Sequence, residues 1–197
     1  MRLLLLFFAL FFVFAFVADE STSIKNHILK IREERNAEMR DTAHSPLKPE
    51  EIAKFRELHF FDIDLAYRVI AEFRKAKKQE AIEIPTSSGK LKKFYVLGKA
   101  MFQLKEKSCT LTVYRLASMN DGYFIPFTDL TGGNECYGGG RYIDAEKAGK
   151  NKLLIDFNLC YNPYCAYTTG YNCPIPPKEN FIDLEIRAGE KLLWEEH

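Results

Sequence analysis

The sequence lacks several features by which an activity is usually recognised. It contains no G-x-x-x-x-G-K-[ST] loop and no G-x-G-x-x-G turn that opens a helix, which argues against a nucleotide site. It has no C-x-x-C or H-x-x-x-H pair and only four histidines, so we predict no metal site and no cofactor. Internal repeats and low-complexity linkers are also missing. A chain of 197 residues with ordinary composition therefore predicts one globular domain.

Neither sign of charge is in excess. Without residues 1–18, the chain carries 27 basic and 27 acidic side chains, and this balance argues against a nucleic-acid partner. The distribution is uneven, because residues 74–107 carry ten basic and three acidic side chains, whereas residues 121–197 carry seven and twelve. We call residues 74–107 the basic hairpin, and two interpretations of it stay open. Its basic side chains contact an anionic partner, or they cover the solvent face and edges of the strands and discourage pairing with other strands.

The first 18 residues are predicted to be a secretory signal peptide. Leu3 to Val17 is an unbroken apolar run, which as a helix would span about 22 Å and fall short of the roughly 30 Å hydrocarbon core. Both Ala15 and Ala18 are candidate cleavage positions. An uncleaved segment is the only membrane contact that we expect. The mature protein is therefore predicted to be exported, either to the periplasm or out of the cell, where its cysteines can pair.

Residues 19–60 are predicted to form a helical segment packed on the domain. Ser21 or Ser23 is suited to cap a helix that runs to about Arg40, and Pro49 is suited to begin a second short helix. From residue 61 the apolar period changes to two, which predicts a β-rich domain over residues 61–197. The fold class expected is mainly β: an antiparallel β-sandwich or barrel of roughly nine strands with one or two N-terminal helices. The strands are expected near 67–74, 80–84, 91–97, 99–105, 109–115, 122–127, 140–145, 151–157, 181–187 and 191–194. Gly98 is predicted to be a turn between two of them, and Ala188-Gly189 is predicted to be the turn of a hairpin formed by the last two.

The stretch from Asp156 to Asn180 is a long segment without helical or strand period. It holds three of the five cysteines, four tyrosines, four prolines and four asparagines. Loops of this length in compact domains are usually functional or cross-linked, and its aromatic content argues against disorder. We expect an ordered loop in which Asp156, Asn158, Tyr161 and Asn162 line a pocket for a small polar or anionic ligand. The alternative is that the Asp and Asn side chains only satisfy local backbone groups.

A second candidate segment, residues 128–144, contains five glycines between Gly132 and Gly140. At its end, Arg141 offers a planar fork suited to a carboxylate or phosphate. We expect Glu135 and Arg141 to belong to the ligand site, where Arg141 holds an anionic group. The alternative is that Arg141 pairs with Glu135, Asp144 or Asp156 and so fixes the loop. A hydrolase is a further alternative. Its paired catalytic carboxylates would come from Glu135, Asp156 and Glu179. Whether the protein is an enzyme stays open at this stage.

The cysteines admit several chemistries. Cys165 and Cys173 would close a short loop with a disulfide, for which the chain-entropy estimate is roughly 2.6 kcal/mol. A nucleophilic Cys165 and a zinc ligand are the alternatives, although no histidine partner is evident in sequence. Cys136 and Cys160 are candidates for a second bridge, which would leave Cys109 unpaired.

Three strings carry a family resemblance: FTDLTGGNECYGGGRYID (127–144), IDFNLCYNPYCAY (155–167) and CPIPPKEN (173–180). They resemble the signature of a bacterial family, the domain of unknown function numbered 1684. The resemblance implies a β-rich domain without an established activity. Its motif positions are Glu135, Gly140, Arg141, Asp156, Asn158, Asn162, Cys165, Cys173, Glu179 and Asn180. Cys136 and Cys160 depart from the family pattern, and this supports the hypothesis of a second bridge between them.

The functional expectation is an exported protein that binds a small molecule between residues 128–144 and 156–180. The alternatives are a hydrolase and a structural cell-envelope protein without a ligand. The sequence does not predict an oligomeric state.

Overall fold

The computed structural model describes residues 19–193, and gives residues 2–18 only as the backbone of a helix. The predicted signal peptide therefore lies outside the described residues. Helix α1 spans Arg2–Arg40 and helix α2 spans Pro49–Ile52, with Pro49 at its start as predicted. Neither Ser21 nor Ser23 begins α1, because the residues before them are also helical. Among the described residues, no helix is both long enough and apolar enough to cross a membrane.

Helix α1 packs on the domain through one narrow face. Ile28, Arg32, Asn36 and Met39 are buried, and their spacing of three to four residues places them on one side of the helix. Two of these side chains are polar and bond to residues outside the helix. The guanidinium of Arg32 donates to the carbonyl oxygen of Phe61, while the amide oxygen of Asn36 accepts from a backbone N–H. The helix is thus held by specific hydrogen bonds as well as by apolar contact.

Within the described residues, nine strands form a single sheet that curls into a nearly closed barrel, so the mainly β fold class is confirmed. The strands are β1 Arg68–Lys75, β2 Ala81–Pro85, β3 Leu91–Leu104, β4 Lys107–Leu116, β5 Phe124–Asp129, β6 Arg141–Asp144, β7 Glu146–Lys147, β8 Lys152–Asp156 and β9 Phe181–Ile182. In the main path the strand order is β6-β5-β4-β3-β1-β8-β7, with β2 added to β3 and β9 added to β5. Of the pairs described, β5 with β9 is parallel and the others are antiparallel.

The barrel approaches closure where the chain after β8 returns to β6. Tyr161 and Tyr142 form an isolated antiparallel bridge, with N···O distances of 2.8 and 3.0 Å. The interior is filled by buried apolar side chains from β1, β3, β4, β5, β6 and β8, among them Phe102, Leu111 and Phe127. A full interior leaves the outer face of the barrel as the place where a cavity can form.

The structure corrects two local predictions. Gly98 is not a turn between two strands but a bulge inside the continuous strand β3, where a Cβ atom would lie 2.2 Å from the carbonyl oxygen of Arg74. The predicted C-terminal hairpin is also wrong. Residues 183–190 form no strand, because their backbone carbonyls turn inward to bond with a buried arginine, and residues 191–193 are likewise irregular. The short strand β7 was not predicted.

Candidate functional site

An open cavity of about 530 Å³ lies on the outer face of the barrel. Its floor is formed by Phe94 of β3, Leu116 of β4 and Phe124 of β5. These residues belong to a small apolar cluster that is separate from the barrel interior and includes the buried Ile84 and Tyr114. The cavity volume falls within the range of sites for small organic ligands.

A chain of aromatic contacts runs from the floor into the wall. The rings of Phe94 and Phe124 are stacked, with centroids 5.8 Å apart and an interplanar angle of 14°. Phe124 then meets Tyr142 edge to face at 4.9 Å, and Tyr142 meets Tyr161 at 5.8 Å. All four of these residues line the cavity. Its inner surface is therefore largely aromatic.

The hydroxyl groups of Tyr142 and Tyr161 already have partners in the protein. The hydroxyl of Tyr142 donates to the carbonyl oxygen of Pro174 at 2.5 Å, and that of Tyr161 donates to Oδ2 of Asp144 at 2.7 Å. Burial and, for Tyr161, the neighbouring carboxylate raise the pKa of both phenols, so both stay neutral at physiological pH. The hydroxyl groups are thus occupied, and the rings mainly contribute apolar surface.

The opposite wall is the segment 163–174, and the predicted Cys165–Cys173 disulfide is confirmed within it. This wall is attached to the turn between β2 and β3. The backbone N–H of Ser87 donates to the carbonyl oxygen of Cys173 at 2.9 Å, and the hydroxyl of Ser88 donates to Oδ1 of Asn172 at 2.6 Å. A disulfide and a hairpin turn together therefore fix the wall against the floor.

Charged side chains lie at opposite ends of the cavity. At one end, Nε of Arg35 is 2.7 Å from Oε1 of Glu190, and its guanidinium lies over the ring of Tyr161 at 4.4 Å. Although burial lowers the pKa of Arg35, the carboxylate of Glu190 more than compensates and raises it. At the other end, the half-buried Lys92 has neither an ion pair nor a hydrogen bond to any described residue. Lys92 is therefore a cation at this cavity without an internal counter-charge.

Glu190 is the polar centre behind the cavity, and sequence reasoning missed it. Its side chain is fully buried and accepts hydrogen bonds from Arg35, from the hydroxyl of Tyr167 and from the backbone N–H of Asn162. Burial and this carboxylate raise the pKa of Tyr167 well above its ordinary value. The partners lie 23 to 155 residues away in sequence, so no local pattern identifies Glu190.

Of the predicted site residues, Tyr161 and Asn162 line the cavity, whereas the structure places Arg141 in the interior. The guanidinium of Arg141 is 1% exposed and donates to Asp129, to Thr131 and to three backbone carbonyls, those of Ile186, Ala188 and Glu190. This corrects the expectation that Arg141 holds an external anion. Arg141 does form the alternative, an ion pair within the protein, but its partner is Asp129 rather than Glu135, Asp144 or Asp156.

The residue before Arg141 is a glycine for a steric reason. A Cβ on Gly140 would lie 2.6 Å from the carbonyl oxygen of Phe127.

Asp156 and Asn158 form a buried structural node away from the cavity. Oδ1 of Asp156 accepts from the backbone N–H of Asn158 at 3.0 Å and from its side-chain amide at 2.9 Å. Asp156 also pairs with Arg68 at 3.2 Å, while Asn158 exchanges two hydrogen bonds with the backbone of Asp64. Burial raises the pKa of Asp156. The node joins the end of β8 to the start of β1.

The three carboxylates suggested for hydrolysis have separate partners. Glu135 pairs with Arg187 at 2.9 Å, Asp156 belongs to the node above, and Glu179 accepts from the hydroxyl of Tyr114 at 2.8 Å. None of the three lines the 530 Å³ cavity as the structure describes it. The geometry therefore gives no support to a paired-carboxylate site.

The suggested Cys136–Cys160 bridge is not formed. Both residues are buried free thiols, each directed at a different backbone carbonyl: that of Glu190 for Cys136, and that of Ala188 for Cys160. Cys109 is also free. Burial raises the pKa of Cys160 to about 12, so this thiol is protonated and unreactive at neutral pH. In the described part of the chain, no group of three or more His, Cys, Asp or Glu side chains is arranged to hold a metal ion.

Comparison with known proteins supports the fold without supplying an activity. The solution NMR structure of an uncharacterized protein from Haloarcula marismortui is similar, with a TM-score of 0.72 and 30% sequence identity. The match covers 90% of this chain and 99% of the other, and that organism is an archaeon rather than a bacterium. Among curated proteins, no significant match is found. Residues 53–191 match a family model described as a protein of unknown function, and the chain therefore belongs to the DUF1684 family.

Proposed function

We propose that the protein binds a small organic molecule with a largely apolar, flat body in the aromatic cavity. The observation that carries the proposal is the run of rings from Phe94 to Tyr161, which line an open volume while the hydroxyl groups of Tyr142 and Tyr161 bond elsewhere. Burying aromatic and aliphatic ligand surface against such a wall is favourable by about 25 cal/mol per Å². The disulfide and its attachment to the β2–β3 turn reduce the free-energy cost of ordering the site on binding.

The test is fluorescence titration of the full chain with N-phenyl-1-naphthylamine, a neutral aromatic probe that brightens in apolar surroundings. We expect saturable binding to the wild type at one site. Leu116→Trp adds bulk at the cavity floor and should weaken binding at least tenfold. Leu130→Trp makes the same change at a side chain that is 51% exposed and outside the cavity, and it should bind as the wild type does. Absence of saturable binding, or equal loss in both variants at unchanged folding, would refute the proposal.

A structural cell-envelope protein without a ligand is the competing proposal, and the burial of Arg141 in an ion pair with Asp129 favours it. Under that proposal the geometry of the loops serves folding alone. The same titration distinguishes the two, because a purely structural protein has no reason to bind the probe selectively at the 530 Å³ cavity.

We also propose that the protein is exported and that a signal peptide within residues 1–18 is removed, with the cut after Ala15 or Ala18. The disulfide Cys165–Cys173 supports this proposal, since such bonds persist mainly in oxidising compartments. The experiment is fractionation of cells that produce the full chain, followed by mass spectrometry of the intact protein. Export predicts a mature N-terminus just after Ala15 or Ala18 and an intact disulfide. Recovery of the uncleaved, fully reduced chain from the cytoplasm would contradict it.

A further inference from the structure

The end of the cavity at Lys92 differs from its other end in charge balance. Arg35 is neutralised by the buried Glu190, whereas Lys92 has no such partner among the residues described. Lys92 is half-buried beside the apolar floor. Because its charge has no counter-charge among the described residues, this end of the cavity has a positive potential that a ligand anion would offset.

The carboxylate that lines the cavity, Asp144, is too distant to neutralise Lys92. The sheet register pairs Val96 with Tyr114, Tyr114 with Phe124, and Phe124 with Asp144. Lys92 lies four residues before Val96 on β3. Three strand spacings and four residues along the strand separate the two charged residues by roughly 15–20 Å at the backbone. Charges this far apart are largely screened at physiological ionic strength.

We infer that the ligand is an amphiphilic anion, whose apolar body lies on the rings of Phe94 and Phe124 and whose carboxylate, sulfonate or phosphate group contacts Lys92. The inference rests on the proposed function and adds the chemical class of the ligand. Lys92 and Phe94 are two residues apart on β3, so strand alternation puts both side chains on the cavity face. The amide of Asn172, at the same cavity, offers a second donor, because only its oxygen bonds to described residues.

This assignment also interprets part of the basic hairpin. Lysines that only protect strand edges are expected to have exposed side chains. Lys93, on the face of β3 opposite to the cavity, is exposed in this way. Lys92 instead points to the cavity and is partly withdrawn from water without an ion pair. Leaving a partly buried cation unpaired is unfavourable, and a bound anion relieves that cost.

The experiment compares two probes that share one aromatic body. 8-Anilinonaphthalene-1-sulfonate carries a sulfonate, whereas N-phenyl-1-naphthylamine lacks it. We expect Lys92→Gln to weaken the sulfonate probe about tenfold or more, as the loss of one charge-assisted hydrogen bond predicts, and to change the neutral probe less than twofold. Lys93→Gln removes the same charge from the neighbouring residue on the other face, and it should leave both affinities within twofold.

Four outcomes overturn the inference. If Lys92→Gln weakens both probes equally, the side chain contributes packing rather than charge recognition. If Lys92→Gln and Lys93→Gln weaken the sulfonate probe equally, the effect is a general surface field. If the neutral probe binds and Lys92→Gln changes neither affinity, the proposed function stands but the ligand class is wrong. If neither probe binds the wild type, both proposals fail together.

Discussion

The ion pair between Arg35 and Glu190 gives the sharpest test of how the N-terminal helix is held. The carboxylate of Glu190 is 1% exposed and lies 2.7 Å from Nε of Arg35. Replacing Arg35 with Met keeps an unbranched apolar stem and a similar helix propensity but leaves a buried carboxylate without its cation. Breaking a buried pair in this way typically costs 3–5 kcal/mol.

Two features of the structure set the expected size of the effect. The side chain of Arg35 is 23% exposed, so the pair is partly solvated and the lower end of the range, about 3 kcal/mol, applies. Glu190 also keeps its hydrogen bonds from Tyr167 and from the N–H of Asn162, which limits the loss further. For a chain of this size, about 3 kcal/mol corresponds to a fall in Tm of roughly 6–12 °C.

The matched control is Arg40→Met on the same helix. Arg40 pairs with Glu33, but the two side chains are 43% and 68% exposed, and such surface pairs contribute about 0–1 kcal/mol. The measurement is urea unfolding of each variant, together with the double variant Arg35→Met/Glu190→Gln. The double variant should recover part of the loss, because it removes the buried charge as well as its partner. Equal stability of Arg35→Met and Arg40→Met would refute the reasoning.

Three further predictions concern the backbone, the phenols and a thiol. Gly98→Ala should cost about 3 kcal/mol in urea unfolding, because the new Cβ would lie 2.2 Å from the carbonyl oxygen of Arg74. Stability should fall above pH 10, because the pKa values of Tyr161 and Tyr167 in the folded protein lie above the value of about 10 in the unfolded chain. Ionisation then favours the unfolded chain, and the free energy of unfolding falls by up to about 1.4 kcal/mol per phenol and pH unit. Cys160 should resist a disulfide reagent at pH 8 in the native protein and react once guanidinium is added.

Each of these predictions has an internal control. Gly89→Ala also places alanine at positive φ, but in open space, so it should cost only about 1 kcal/mol. Tyr161→Phe should flatten the alkaline loss of stability, and an unchanged slope would contradict the assigned cause. Rapid native labelling of all three free thiols would show that Cys136 and Cys160 are more accessible than their burial implies.

The sequence was most informative where the evidence is local. Alternating apolar residues predicted the central strands, Pro49 marked the start of α2, and the spacing of Cys165 and Cys173 made their disulfide the leading interpretation. It was misleading at Gly98, because a glycine between two alternating runs is typical of a turn as well as of a bulge. A sequence pattern does not distinguish the two without the neighbouring strand.

The family motif shows the same limit. Arg141, Asp156 and Asn158 were expected to face a ligand, and the structure shows that each satisfies buried backbone or side-chain groups instead. A polar residue in a loop serves either purpose, and only the burial of its partners decides which. Asn180 illustrates the structural use, since its amide bonds to the backbone of Thr112 and Pro126.

By itself, the sequence determined the β-rich class, the family and the disulfide, because strand period, motif strings and short loop closure are encoded by residues close together in the chain. Only the tertiary structure decided which side chains meet at the cavity. Arg35, Lys92, Tyr161 and Glu190 come from a helix, a strand and two distant loops, and their proximity follows from barrel closure and helix docking. Contacts between residues so far apart in sequence have no local pattern, so the unpaired charge of Lys92 became visible only once the fold had placed its neighbours.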